Sequence, residues 1–159
     1  VHNGEISSYD ANRRFIEMFG YRCTLQTDTE IITYIMDYLL RVQKLSLDEA
    51  ASVIAAPFWS TITAKTDPKE REKLKYLRTV FASLLITGPF SIVFGFNGGL
   101  MALNDRLKLR SLVVGEQGDT VYLASEESAI RTIAPDLDRL YAPRGGEPVI
   151  VTLNERSAQ

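Results

Sequence analysis

An α+β domain, with helices packed on antiparallel sheet, is predicted by three features of the sequence. Its first half is helical in pattern, its second half is strand-rich, and Asn97-Gly98-Gly99 between two apolar runs is a strong hairpin signal. The chain has 159 residues, which suffices for one domain with a real core, and 1–159 is read as a single domain. Val1 to Ser8 reads as the end of a strand running into a polar loop. A short helix fits Tyr9 to Phe19, with Ser8 as its N-cap and Gly20 as its stop. Thr27 and Glu30 have capping-box spacing ahead of Ile31, Ile32, Ile35, Met36, Leu39 and Leu40, which recur on one helical face. A second capping box, Ser46 with Glu49, opens a shorter helix that must end near Pro57. Asp67-Pro68 begins another, whose charge-alternating stretch from Lys69 to Arg78 reads as a solvated face.

The strands follow. Phe90 to Phe96 is a continuous apolar run, as expected of a strand covered on both faces, and Leu100 to Leu103 returns beside it. Ser111 to Val114 and Thr120 to Ala124 form a second pair across Glu116-Gln117-Gly118-Asp119. A short helix fits Glu126 to Ile133, and two last strands fit Arg139 to Ala142 and Pro148 to Leu153. Leu84 to Leu103 is apolar enough to suggest a membrane span, but its glycines and Pro89 suit two buried strands around a turn, so no membrane partner is expected. No basic-then-apolar leader opens the chain, and a cytoplasmic location is the expectation.

Composition removes several kinds of chemistry. The 18 basic and 20 acidic residues give a net charge of −2, with none of the basic excess expected of a nucleic-acid binder. One cysteine, Cys23, allows no intramolecular disulfide, and with one histidine, His2, the chain lacks the ligands for a Cys/His zinc site; no metal and no cofactor are expected.

A few short segments could carry chemistry. His2-Asn3-Gly4 stands where a strand meets a loop, and an Asn amide with the following Gly N–H can aim two donors at one spot, as an oxyanion hole requires. Taken alone the tripeptide reads first as a tight turn. Thr27-Asp28-Thr29-Glu30 places a carboxylate and free N–H groups at a helix start, suited to a small zwitterion, but taken alone it reads first as a plain cap. Ser125-Glu126-Glu127 pairs carboxylates in a first helical turn, where the dipole already favours acids. Cys23 reads as a buried structural thiol rather than a nucleophile served by His2. Arg106, Lys108 and Arg110 alternate as on one face of a strand: an exposed basic face, or an anion site.

Taken together the segments resemble the class II glutamine amidotransferase domain. His2-Asn3-Gly4-Glu5-Ile6 is followed by Thr27-Asp28-Thr29-Glu30, then by Gly88-Pro89-Phe90-Ser91-Ile92-Val93, similar to the family's Gly-x-Tyr/Phe-Ser strand. Leu103 to Leu112 resembles its Arg-Asp-Pro-x-Gly-x-Arg-Pro-Leu segment, Ala124-Ser125-Glu126 its Ala-Ser-Glu strand end, and Pro143 to Glu147 its late Pro-Gly-Glu turn. The blocks stand in family order over nearly the whole chain. His-Asn-Gly-Glu-Ile and Pro57-Phe58-Trp59 look closest to the amidotransferase domain or subunit of glutamate synthases.

The resemblance implies an N-terminal nucleophile hydrolase fold, a four-layer α/β/β/α sandwich of antiparallel sheets. It implies glutamine as substrate and a synthase domain or subunit that accepts the ammonia, with homo-oligomerisation allowed. In the family a cysteine at the mature N-terminus attacks the glutamine amide with its own α-amino group as base. The oxyanion hole maps onto the Asn3 side chain and the Gly4 N–H, and the carboxylate that holds the α-amino group of glutamine maps onto Asp28. No catalytic role maps onto Ser125-Glu126.

The departures are also specific. Asn104 replaces the first Arg of the Arg-Asp-Pro segment, and Arg106, Lys108 and Ser111 stand where Pro, Gly and Pro are usual. The family's nucleophile and its carboxylate-gripping arginine lie upstream of the His-Asn-Gly block. The expectation is therefore a domain that is N-terminally incomplete over 1–159, lacks its first strands and is inactive alone. The alternatives are a catalytically inactive domain serving as a regulatory or interaction subunit, and a hydrolase built on Cys23 and His2.

Overall fold

A computed structural model describes residues 1–153. The chain opens with β1 (His2–Gly4) and then builds its helical layer: α1 (Tyr9–Glu17), α2 (Asp28–Asp37), α3 (Leu47–Ile54), α4 (Trp59–Thr63) and α5 (Pro68–Val80). The strands β2 (Phe90–Phe96), β3 (Gly99–Asn104), β4 (Val113–Gln117) and β5 (Thr120–Ala124) follow, then α6 (Glu127–Ile133), β6 (Arg139–Tyr141) and β7 (Val149–Thr152). Two antiparallel sheets result, one in the order β1-β2-β3-β7 and one in the order β5-β4-β6.

Strand alternation assigns the layers. Phe90, Ile92, Met101 and Leu103 point from the first sheet into a core shared with Ile31, Ile35, Leu39 and Ile54 of the helices. Across the other face, Asn3, Ser91 and Val93 look over a small cavity at Leu123 and Ala124 of the second sheet and at Leu112 just ahead of it. On the far side of that sheet, Gly115 lies so close to α6 that an added Cβ would sit 2.9 Å from a methyl of Ile130. Helices, sheet, sheet and helix thus stack in the expected order.

Several local expectations are corrected. Thr27 accepts the Glu30 N–H, but the Glu30 carboxylate turns back to the N–H groups of Thr24 (2.9 Å) and Leu25 (2.8 Å), so the box is half-formed. Burial alone would raise the Glu30 pKa, yet those N–H groups hold it below its usual range. The Ser46/Glu49 box is complete. Ser8 caps nothing; its hydroxyl donates to Asn12 and accepts from the Thr87 N–H, and Asn12, fully buried, donates to the Ser83 carbonyl at 2.7 Å. After Asp37 the helix continues as a π turn over Tyr38–Val42, and α4 follows Pro57 with no side-chain cap; both are too short to show a period. Phe90–Phe96 is fully buried only on the helical side, because Ser91 and Val93 line the half-open cavity on the other.

The largest correction concerns Arg106, Lys108 and Arg110, which do not share a strand face. The segment is a loop wound around one buried carboxylate. Asp105 accepts the N–H groups of Phe90, Leu107, Leu109 and Arg110, and Lys108 takes a positive φ of 57°. The last two strands also part company: β6 joins β4, β7 joins β3, and the turn between them donates Gly146 N–H to the Asn104 carbonyl.

Candidate functional site

The site is built on β1, an edge strand of the described sheet. Val1 exchanges main-chain hydrogen bonds with Val93, and the Glu5 N–H donates to the Pro89 carbonyl at 2.9 Å. Antiparallel pairing alternates, so Asn3 faces Ser91 in the hydrogen-bonded register, while the main-chain groups of His2 and Gly4 turn away from β2 to the open edge. The Gly4 N–H is therefore free of the ladder. Glycine is compulsory there: φ is +145°, and an added Cβ would lie 2.0 Å from the Pro89 carbonyl oxygen. The tight-turn reading of His2-Asn3-Gly4 is thus replaced by a close strand approach.

The Asn3 side chain stands on the inter-sheet face, exposed, in a cavity of about 150 Å³ with Ser91, Val93, Leu123 and Ser125. Asp28 is the first residue of α2, and its Oδ2 accepts the Ile6 N–H at 2.9 Å, two residues beyond Gly4. Its Oδ1 has no hydrogen-bond partner among the described residues, and the residue is half-buried. Asn3, Gly4 and Asp28 thus gather around one strand end, but from two sides. Asp28 does not line the Asn3 cavity, so a ligand touching both must lie along the open edge over Gly4.

His2 projects to the helical side, half-buried, with Nε2 enclosed and unpaired. Burial lowers its pKa most, the Asp28 charge works in the opposite direction, and Arg110 adds to the lowering. The ring is held neutral near a carboxylate that could otherwise charge it. Cys23 is 6% exposed, and burial, then the nearby Glu17 and Glu30 charges, push its thiol pKa up, the reverse of what a nucleophile needs. Glu126 and Glu127 are exposed at the start of α6, where Glu127 pairs with Arg131. Among the described residues no group of His, Cys, Asp and Glu could hold a metal ion, and no helix is long and apolar enough to cross a membrane. The residue overlooked in the sequence is Asp105; its place in the Arg-Asp-Pro-like segment, where the flanking residues have changed, was the available signal.

No protein-family profile matches the chain. A protein of Archaeoglobus fulgidus with no assigned function is 47% identical over 159 residues, which is all of this chain and 42% of that protein. The amidophosphoribosyltransferase of Pyrococcus horikoshii is 26% identical over the whole chain and 28% of its own length. The glutamine–fructose-6-phosphate aminotransferase of Legionella pneumophila (strain Paris) is 23% identical over 94% of this chain and 23% of that enzyme. Among solved structures, the glutamine phosphoribosylpyrophosphate amidotransferase of B. subtilis superposes with a TM-score of 0.59 at 17% identity, over 96% of this chain and 26% of that one. The chain therefore spans about two-fifths of the first relative and about a quarter of the named enzymes.

The fold is the N-terminal nucleophile hydrolase type, α+β with antiparallel sheets. The named relatives to which the chain is similar are amidophosphoribosyltransferases and glutamine–fructose-6-phosphate aminotransferases.

Proposed function

We propose that this chain is the greater part of a glutamine amidotransferase domain that hydrolyses the side-chain amide of glutamine to glutamate and ammonia, for use by a synthase partner. The observation that carries the reading is the Gly4 N–H, free at the open edge of β1 beside Asn3, with Asp28 bonded to the same segment two residues on. On this reading the amide carbonyl of glutamine sits over the strand edge. As a nucleophile adds to that carbonyl, the Asn3 side-chain N–H and the Gly4 N–H receive the growing negative charge on oxygen. Asp28 Oδ1 accepts from the α-ammonium and fixes the far end of the substrate.

The nucleophile of this proposal is a cysteine ahead of Val1, deprotonated by its own α-amino group. Attack expels ammonia and leaves a thioester, and water then releases glutamate and regenerates the thiol. The same upstream segment would supply the arginine for the substrate carboxylate and complete a domain that extends beyond 1–159. Glutamate synthase as the ammonia acceptor is the finer part of the proposal. It rests on His2 to Ile6 and on Pro57-Phe58-Trp59, whereas the named relatives carry the names of other transfers. A cytoplasmic setting belongs to the same proposal.

The test is to treat the native polypeptide with an electrophilic glutamine analogue, follow glutaminase activity and map the label. Label on an N-terminal cysteine, with loss of activity and Cys23 untouched, is the expected result. A native chain that has no such cysteine and no glutaminase activity would leave the regulatory or interaction subunit as the reading.

A further inference from the structure

Two arginines packed on the Ala56–Trp59 segment have no part in the proposed glutamine chemistry. Arg78, in the last turn of α5, lies over the Trp59 ring, 4.6 Å from its centroid. Arg106, in the loop after β3, lies over the Phe58 ring at 4.7 Å and donates to the Ala56 carbonyl at 3.3 Å. The Ala56–Trp59 segment thus carries a guanidinium on each of its aromatic rings. The ion pairs among the described residues are made by other cations, Arg13, Arg41, Lys65, Lys73, Lys75, Arg131 and Arg139.

Arg78 is the more exposed to that deficit. Its Nη1 is enclosed and has no hydrogen-bond partner among the described residues. Burial, and then the like charge of Arg106, lower its affinity for a proton, and no carboxylate offsets them. Beside the guanidinium is a cavity of about 220 Å³ walled by Val53, Ala56, Trp59, Phe81 and Leu85, with Arg78 as its one charged group and exposed Ala82 at its rim. The half-buried guanidinium thus keeps one enclosed donor idle, an arrangement that an oxyanion acceptor would relieve. The planar fork of arginine fits a carboxylate or a phosphate with two parallel hydrogen bonds. A volume below the roughly 300–1,000 Å³ of drug-sized sites sets the ligand as a small one.

We propose that this cavity binds a small organic oxyanion, a carboxylate or phosphate, with its charged end on Arg78 and its apolar end against Val53, Phe81 and Leu85. Arg106 contributes positive potential from the other side of the Phe58–Trp59 turn. The site lies among α3, α4 and α5, in the helical layer, whereas Asn3 and Gly4 stand at the sheet edge, so it would act on the enzyme and not on the amide.

Titration calorimetry on the native polypeptide, with butyrate, acetate and inorganic phosphate against chloride at equal ionic strength, tests the proposal. Saturable binding of butyrate in preference to acetate, or of phosphate in preference to chloride, is expected, and the order of the two probes tells which head group is preferred. Arg78→Met should weaken that binding about tenfold or more, as loss of a charged hydrogen-bond partner does. Ala82→Leu, which narrows the mouth and leaves the charge, should do the same, and it decides the matter if Arg78→Met does not fold. The exposed Arg22→Met should change nothing. Absence of saturable binding by all three probes, or unchanged binding in Ala82→Leu, overturns the site.

Discussion

Two aspartates show how differently one side chain is used in this molecule. Asp105 is 3% exposed and spends both oxygens on four main-chain N–H groups, of Phe90, Leu107, Leu109 and Arg110. Asp28 is half-buried, takes one N–H from Ile6 and leaves Oδ1 open. A saturated carboxylate is a structural knot, because any ligand would have to displace hydrogen bonds already made. A carboxylate held by one oxygen is oriented and still has capacity to bind. The difference separates a residue that shapes a loop from one poised at a strand edge, although both lie in motifs of the same resemblance.

The largest effect expected from breaking this contrast is on stability. Asp105→Ala strands four donors in a buried setting, and each unsatisfied donor costs about 1–3 kcal/mol. Partial hydration of the loop, in which Leu107 and Leu109 are exposed, limits the total to about 3 kcal/mol or somewhat more. Chemical denaturation should show it as a lower midpoint with unchanged slope. A loss within ~0.5 kcal/mol would mean that the loop is held by something else.

Asn3→Ala should give the opposite profile. Its side chain is exposed on the inter-sheet face, so stability should move by less than ~0.5 kcal/mol. If it is an oxyanion donor, the kcat of the proposed glutaminase activity should fall about 10²–10³-fold with KM nearly unchanged. A rise in KM at constant kcat would instead make Asn3 a ground-state contact.

Asp28→Asn should show up in KM. Removing the charge while keeping an acceptor for Ile6 preserves the helix start, and if Asp28 holds the substrate ammonium as proposed, losing that ion pair should raise KM about tenfold or more. Melting temperature should change little. A large fall in kcat at constant KM would place Asp28 with the reacting atoms rather than with the substrate's ammonium.

How far all this could be read in the chain itself follows the range of the interactions involved. Capping signals, the Asn-Gly-Gly hairpin and the apolar helix face are local, and the helix starts at Asp28, Leu47 and Pro68 and the β2–β3 turn follow them. The separation of β6 from β7 into different sheets depends on the turn at Pro143 to Glu147 packing against the loop after β3, which no period encodes. Arg106 to Arg110 looked like a strand because alternating charges have a period of two; the fourfold acceptor role of Asp105 overrides that pattern. At the candidate site, Asn3, Gly4 and Asp28 stand out through the family resemblance rather than through type and spacing, and neither shows that the Gly4 N–H is available. That depends on which register β1 adopts against β2, a long-range fact.

The smallest expected effect links the two sides of the edge strand through His2. Its pKa lies below 6.5 in the folded protein, chiefly because of burial, so well above pH ~6.5 the ring is neutral both folded and unfolded and contributes no pH dependence. As pH falls below that value the unfolded chain takes up a proton that the folded protein resists. Stability should therefore decline from about pH 6.5 down through the folded pKa and then level off. His2→Gln should flatten this part of the curve, seen as denaturation midpoints that converge between pH 7.5 and 5.5. Asp28 opposes the lowering, so Asp28→Asn should depress the folded pKa further and deepen the acid loss. An acid limb that ignores both changes would mean that His2 and Asp28 do not sense each other across the strand end, and Asp28 would then belong to the helix alone.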